Sequence, residues 1–241
     1  MAAMRWAMVA AAGLATMPGA AIAQARACAV PAEVARPRPD LPSTSQPVRR
    51  LPIGGYTLAI TWSPEYCRSH RTDARDAFQC AGTRPKFGFT LHGLWPDGEG
   101  KDWPQYCAST ALLPDPVVRR NLCATPSPQL LQHEWAKHGT CMTSRPADYF
   151  ARSTGLYAGL RYPGMAALSR RPLTAAGFAR AFAAANPGLQ PNMMRVTATR
   201  KGWLDEVWLC LSRQFRPQPC PAHQGGLPAN APLRIWRGGG R

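Results

Sequence analysis

The chain has 241 residues with 25 prolines, 21 glycines and eight cysteines, enough for one large domain or two small ones. No stretch beyond the first residues approaches membrane-spanning length, and no two cysteines form a Cys-x-x-Cys pair, which excludes a multi-span membrane protein, a zinc ribbon and a thioredoxin-like centre. The formal charge of +16 suits a polyanionic partner, either nucleic acid or an anionic membrane or polysaccharide surface.

Residues 1–23 read as a secretory signal: Arg5 starts it, an apolar run from Trp6 to Leu14 follows, and Ala21-Ile22-Ala23 is a small-residue cleavage site. The run is too short and alanine-rich for a membrane anchor. Cys28 follows closely, but Arg26 two residues before it argues against a lipoprotein signal. Eight cysteines then remain in the mature chain, and an even number in an exported protein implies disulfides, so a periplasmic or secreted location is expected. Residues 24–52 carry six prolines and no periodicity, and are read as an extended, mobile arm.

Folded sequence is expected from Ile53. Tyr56 to Trp62 is β-branched and aromatic with rough alternation, and Ser63-Pro64 reads as its stop. Residues 68–84 look like a polar loop. A second strand is expected from Lys86 to Leu91, placing His92 at the strand end where the chain turns through Gly93. The 97–126 region reads as loop with a short helix. Ser127 as cap, Pro128 at the first helical position and Gly139 as stop predict a helix over 128–138. Further helices are expected at 146–160 and 174–185, and a hairpin from Arg195 to Leu211 turning at Gly202. The Arg-Gly-Gly-Gly-Arg tail reads as loose. Helices and strands mix without βαβ alternation, which predicts an α+β fold with a mostly antiparallel sheet.

The chemistry concentrates in two segments, Phe89 to Pro96 and His133 to Cys141. Paired imidazoles are the simplest apparatus for acid–base catalysis near neutral pH. On a helix, residues four apart lie about 40° from each other and residues five apart about 140°. Glu134 is therefore expected to touch and orient His138, while His133 and Lys137 form a neighbouring cationic row suited to a phosphate. Leu131 and Trp135 form an anchoring apolar row. His133-Glu134-x-x-x-His138 is one residue longer than the metalloprotease motif, so the two histidines are expected to point apart, and no metal or other cofactor is expected.

Both segments resemble the two active-site signatures of the ribonuclease T2 family. His92-Gly93-Leu94-Trp95-Pro96 matches the first; His133-Glu134-Trp135, Lys137-His138-Gly139 and Cys141 match the second, with Ala136 where a charged residue is usual. Thr61 to Pro64 with Tyr66-Cys67 is also similar to that family's opening strand. The resemblance spans about Tyr56 to the Cys210–Cys220 region, and leaves out the arm and the tail. It implies a catalytic domain over 53–241 that acts as a monomer on single-stranded RNA with low base specificity. In the reaction it implies, His138, supported by Glu134, takes the proton of a ribose 2′-hydroxyl and His92 protonates the leaving 5′-oxygen, although the sequence leaves open which of the two histidines is the base in the first step. His133 and Lys137 neutralise the phosphoryl oxygens. Trp95, Asp97 and Trp103 fall at the family's main base site, although tryptophan in a disulfide-bonded domain also serves as core and Asp97 can cap a turn. The resemblance further suggests disulfides Cys107–Cys141 and Cys210–Cys220. Cys28, Cys67, Cys80 and Cys123 leave three pairings open, of which Cys67–Cys80 is preferred. The alternative is a catalytically idle RNA binder or an exported toxin on the same fold; the presence of both His92 and His138 favours the enzyme.

Overall fold

The structure is a computed structural model that describes residues 28–82 and 86–239. The signal expected at 1–23 lies outside the described residues. Strand β1 runs Ile53–Trp62 and β2 Phe89–Gly98; helices α1 (Ser63–His70) and the short α2 (Ala77–Cys80) lie between them. Helices α3 (Asp115–Asn121), α4 (Pro128–Lys137), α5 (Pro146–Ala158), α6 (Met165–Leu168) and α7 (Ala175–Ala185) follow. Strands β3 (Met194–Ala198) and β4 (Leu204–Ser212) end the regular structure. The sheet order is β2-β1-β4-β3, antiparallel throughout, so the α+β expectation holds.

Two local readings are corrected. Strand β1 ends at Trp62 as expected, and the Ser63-Pro64 that stops it also starts α1, because proline fits the first helical turn, where an N–H has no partner to lose. Much of the expected polar loop at 68–84 is thereby helical, through α1, a 3₁₀ turn at Ala74–Asp76 and α2. Strand β2 also does not end at Leu91. It continues through the second half of the motif, and the register with β1 passes from Ile60 opposite Leu91 to Ala59 opposite Gly93, so His92 is the extra residue of a bulge.

That bulge positions the site. Phe89 and Leu91 face the core with Trp62 and Ile60, their partners on β1. Without an extra residue, Trp95 and Asp97 would point the same way. The bulge switches the parity, and Trp95 lies opposite Thr57 on the other face. β4 contributes Glu206 and Trp208 to that second face, opposite Thr61 and Ala59. The core face, with Leu58, Ile60, Leu94, Val207 and Leu209, is covered by helices bearing Leu131, Phe150, Phe178 and Phe182.

Helix α4 begins as expected, with the Ser127 hydroxyl accepting from Leu130 N–H at 3.2 Å and Pro128 next. Leu131 and Trp135 are buried on its inner side. Thr174 caps α7 in the same way, accepting from Gly177 N–H at 3.1 Å. The late hairpin also forms. All eight cysteines pair, as Cys28–Cys123, Cys67–Cys80, Cys107–Cys141 and Cys210–Cys220. The three preferred pairings are therefore present, and Cys28–Cys123 takes the remaining two.

Residues 28–52 contain no helix or strand, as their prolines dictate, but they are not a mobile arm. Cys28 is tied to Cys123, Arg119 donates to the carbonyls of Pro31 and Ala32, Arg38 and Gln129 exchange two hydrogen bonds, and Arg49 and Gln105 form a two-bond bridge. A segment without periodicity can still be fixed when its carbonyls and a cross-link find partners elsewhere. The tail is likewise held up to Trp236: Leu233 and Ile235 are buried, and Trp62 donates to the Trp236 carbonyl.

Candidate active site

His92, on the bulge of β2, donates Nδ1–H to Glu206 Oε1 at 2.5 Å, and its Nε2 lies 3.5 Å from Glu134 Oε1. Gly93 is required beside it, because a Cβ there would collide with the Glu134 carboxylate. Glu134 is 2% exposed and accepts from Trp95 Nε1 at 2.9 Å and from the Tyr149 hydroxyl at 3.5 Å. The carboxylate approaches His92 more closely than the expected partner His138, from whose ring nitrogen it lies within 4.8 Å, and residues 134 and 138 are joined by the helical backbone bond of 3.1 Å.

The physical reason is where α4 stops. It ends at Lys137, and His138 is its cap, with φ −110°. The imidazole therefore leaves the direction an unbroken helix would impose. Its ring stands 5.7 Å from Trp95 and 6.3 Å from His133. The expectation that His133 and His138 point apart is also corrected: donor atoms of His133, Glu134 and His138 all lie within 4.8 Å of one another. Gly139 permits the tight exit, since a Cβ there would meet the rings of Trp135 and Tyr149.

The two histidines have opposite electrostatic surroundings. Burial works against a charge on His92, but the Glu206 hydrogen bond and the Glu134, Glu206 and Asp205 carboxylates overcome it, raising its pKa to about 9. His138 is held well below the ordinary value by burial and then by the cations Lys137, His133 and His92. Its Nδ1 is buried without a hydrogen-bond partner among the described residues. Burial raises Glu134 despite the opposing positive charges of His92 and His133, and burial lowers Lys137 despite Glu134 and Asp40.

A cleft of about 310 Å³ opens beside these groups, lined by Trp95, Asp97, Trp103, Lys137, His138 and Trp208 among others. The three residues expected at a base site thus share one cleft with the second signature. Trp95 does more than line the cleft, because its N–H is spent on Glu134 and its ring stands edge-on to His92 at 5.1 Å. Trp103 is 43% exposed with Arg49 over its ring at 4.5 Å, so one face is already covered. Asp97 accepts from Thr57 at 2.8 Å, and burial pushes its carboxyl up to about 6 against that bond and the charge of His223.

The sequence reading missed four contributors. Tyr149 bonds both the Leu94 backbone and Glu134. Glu206 and Trp208 come from β4, where only strand register could bring them to His92 and Trp95. Asp40 comes from the proline-rich segment: its Oδ2 lies 3.0 Å from His133 Nδ1, and its Oδ1 accepts from the Tyr106 hydroxyl at 2.7 Å. An acidic residue isolated within a basic, proline-rich run was the available signal for Asp40.

Among the described residues no helix is long and apolar enough to cross a membrane. A probable ribonuclease of Haemophilus influenzae is 30% identical over 182 residues, covering 71% of this chain and 62% of that protein. A ribonuclease of Aeromonas hydrophila is 33% identical over 166 residues, 66% of this chain and 72% of its own. The chain therefore spans less than two thirds of the Haemophilus protein. Among solved structures, an RNase-related protein from Calystegia sepium superposes with a TM-score of 0.60 at 22% identity, over 76% of this chain and 97% of that one. RNase NT, solved in complex with 5′-AMP, gives 0.54 at 19%, over 76% and 98%. These two likenesses establish the fold. The ribonuclease T2 family model matches residues 53–220, which takes in both histidine segments, the whole sheet and three of the four disulfides, and the chain belongs to that family.

Proposed function

We propose that this chain is a secreted or periplasmic endoribonuclease that cleaves single-stranded RNA as a monomer, with low base specificity and without a metal. One observation carries the reading: two imidazoles both close to the Trp95 ring, at 5.1 and 5.7 Å, one favoured as the cation and the other as the neutral base. That is the pair of protonation states a single displacement needs at once.

In the first step His138 removes the 2′-hydroxyl proton as O2′ attacks phosphorus. The bond from phosphorus to O5′ breaks, and His92 delivers its proton to O5′. The products are a 2′,3′-cyclic phosphate and a 5′-hydroxyl. Water then opens the cycle with the two roles reversed, leaving a 3′-phosphate. His133 and Lys137 supply positive charge to the phosphoryl oxygens, and Glu134 holds the balance of charge between them and His92. Trp95, Trp103 and Asp97 take a base by stacking and a hydrogen bond. Four disulfides agree with an oxidising compartment.

The test uses the mature protein on homopolymer RNAs in EDTA, followed by mass spectrometry of the ends. Cyclic phosphate followed by 3′-phosphate is expected. An RNA with one 2′-O-methyl residue should bind but remain uncut at that linkage, since the nucleophile belongs to the substrate. Cleavage there, or inhibition by chelator reversed by zinc, overturns the mechanism.

A further inference from the structure

Glu206 lies outside both histidine segments, and its carboxylate has three donors converging on it. Oε1 takes His92 Nδ1–H at 2.5 Å and the Thr61 hydroxyl at 2.8 Å, and Oε2 takes Trp208 Nε1–H at 2.8 Å. Its side chain is 13% exposed. All three partners belong to the sheet: Thr61 is its cross-strand neighbour on β1, Trp208 is two residues along the same face of β4, and His92 is the bulged residue of β2. A carboxylate placed in a sheet by this many bonds has little freedom to follow a moving partner. The partner must conform to it.

We propose that Glu206 is a positioning residue for His92, fixing the Nδ1–H tautomer and ring orientation so that Nε2 is the nitrogen that gives and takes the catalytic proton. The inference rests on the transphosphorylation reading above. Its logic is that an ionised carboxylate only accepts hydrogen bonds, so the nitrogen facing it must carry hydrogen in both protonation states of the ring. The mobile proton is thereby assigned to Nε2, on the side of Glu134.

The charged groups facing His92 divide by element. β4 supplies Glu206 and Asp205, α4 supplies Glu134, and the end of α4 supplies His138. Asp205 acts on the ring through its charge alone, and Glu134 stands 3.5 Å from Nε2, the atom that must be released to substrate. Glu206 is therefore the carboxylate that can hold the imidazolium without competing for the leaving oxygen. Glu206 in turn is kept below the ordinary carboxylate value, because the His92 bond and charge, with Trp208 and Thr61, outweigh the effect of burial.

Glu206→Gln separates positioning from packing. Trp208 can only donate, so the amide oxygen must sit at the Oε2 position, which puts the amide nitrogen toward His92 and Thr61. The Thr61 hydroxyl can turn and accept. His92 Nδ1 cannot do so without giving up its proton. The expected results are a loss of roughly 10- to 100-fold in kcat with KM within about twofold, and an alkaline limb moved from about 9 toward the ordinary histidine value of ~6.5. Glu206→Asp keeps the charge at a longer reach and should fall between the two. In ¹⁵N spectra of the wild-type protein, His92 should titrate near 9 and keep its proton on Nδ1 when neutral.

Unchanged kcat and alkaline limb in folded Glu206→Gln overturn the proposal. So does a wild-type His92 that titrates at or below ~6.5 or carries its neutral-state proton on Nε2, a result that needs no variant at all. Cleavage of the 2′-O-methyl substrate would instead sink the underlying mechanism while leaving the His92 spectra to decide the pair.

Discussion

The indole N–H of Trp95 reaches the Glu134 carboxylate at 2.9 Å and so joins the two histidine segments directly. One belongs to the bulged strand and the other to α4, and the bond sets how far apart they sit. Trp95→Phe keeps the ring but leaves Glu134, at 2% exposure, with Tyr149 as its remaining side-chain donor. A lost hydrogen bond to a buried charge costs ~1.5–3 kcal/mol. A loss of unfolding free energy of that size, read from urea denaturation, is expected, together with a drop in kcat. Wild-type stability in the variant would show that the bond carries nothing.

His92→Gln and His138→Phe should each lower kcat by about 10²- to 10⁴-fold, because each removes one proton-transfer partner. Glu134→Gln should cost less, since it changes the surroundings of His92 without removing it. Circular dichroism must show both histidine variants folded, and near-normal turnover by either would remove that residue from the reaction.

The pH profile of kcat/KM should be a flat-topped bell. His138 is held well below the ordinary histidine value and is neutral through the neutral range, so the acid limb lies under ~6.5. His92 stays protonated to about 9, which places the alkaline limb there. Stability carries the same sign. A folded-state pKa raised above the unfolded one gives stabilisation that is complete below ~6.5 and lost as pH rises through about 9. Melting temperature should therefore decline across that window in the wild type and less so in His92→Gln.

The Cys28–Cys123 bridge closes a separation of 95 residues, for which the chain-entropy estimate is up to about 4.7 kcal/mol. The double variant Cys28→Ser, Cys123→Ser should lower the denaturation midpoint and release the proline-rich segment, taking Asp40 away from His133. A glutamyl endopeptidase should then cut after Glu33, which is followed by Val34 rather than proline, much faster than in the wild type. Equal proteolysis in the two proteins would mean that the other anchors suffice.

How much of this was legible in the sequence depended on whether a feature is local. Ser127, Pro128 and Gly139 mark α4 because capping and helix termination act within one turn. The antiparallel α+β class follows from periodicity in the same way. The parity switch at His92 was not legible: an extra residue in a strand looks like a strand end until the partner's register is known. Glu206 was hidden for the same reason, since its distance to His92 is set by pairing across three strands. Glu134 was placed on the wrong histidine because a helix was assumed to continue through residue 138. The proline-rich segment looked mobile because a cross-link and side-chain bonds to carbonyls leave no periodic trace.

Asp97 offers a test of base recognition that does not involve the proton transfers. Thr57 occupies its Oδ2 at 2.8 Å, and its carboxyl is pushed up to about 6 by burial. Above that pH the group is a carboxylate able to accept from the exocyclic amine of adenine. Below it the proton removes part of that capacity, while uracil, which lacks the exocyclic amine and offers only its N3–H, should gain less from the carboxylate. The ratio of kcat/KM for poly(A) over poly(U) should therefore fall by a few fold as pH drops through about 6. Both substrates pass through the same histidines, so protonation of His138 cancels in the ratio. Asp97→Asn should flatten it, because the amide does not titrate. A ratio that keeps its pH dependence in Asp97→Asn would place adenine recognition on another group.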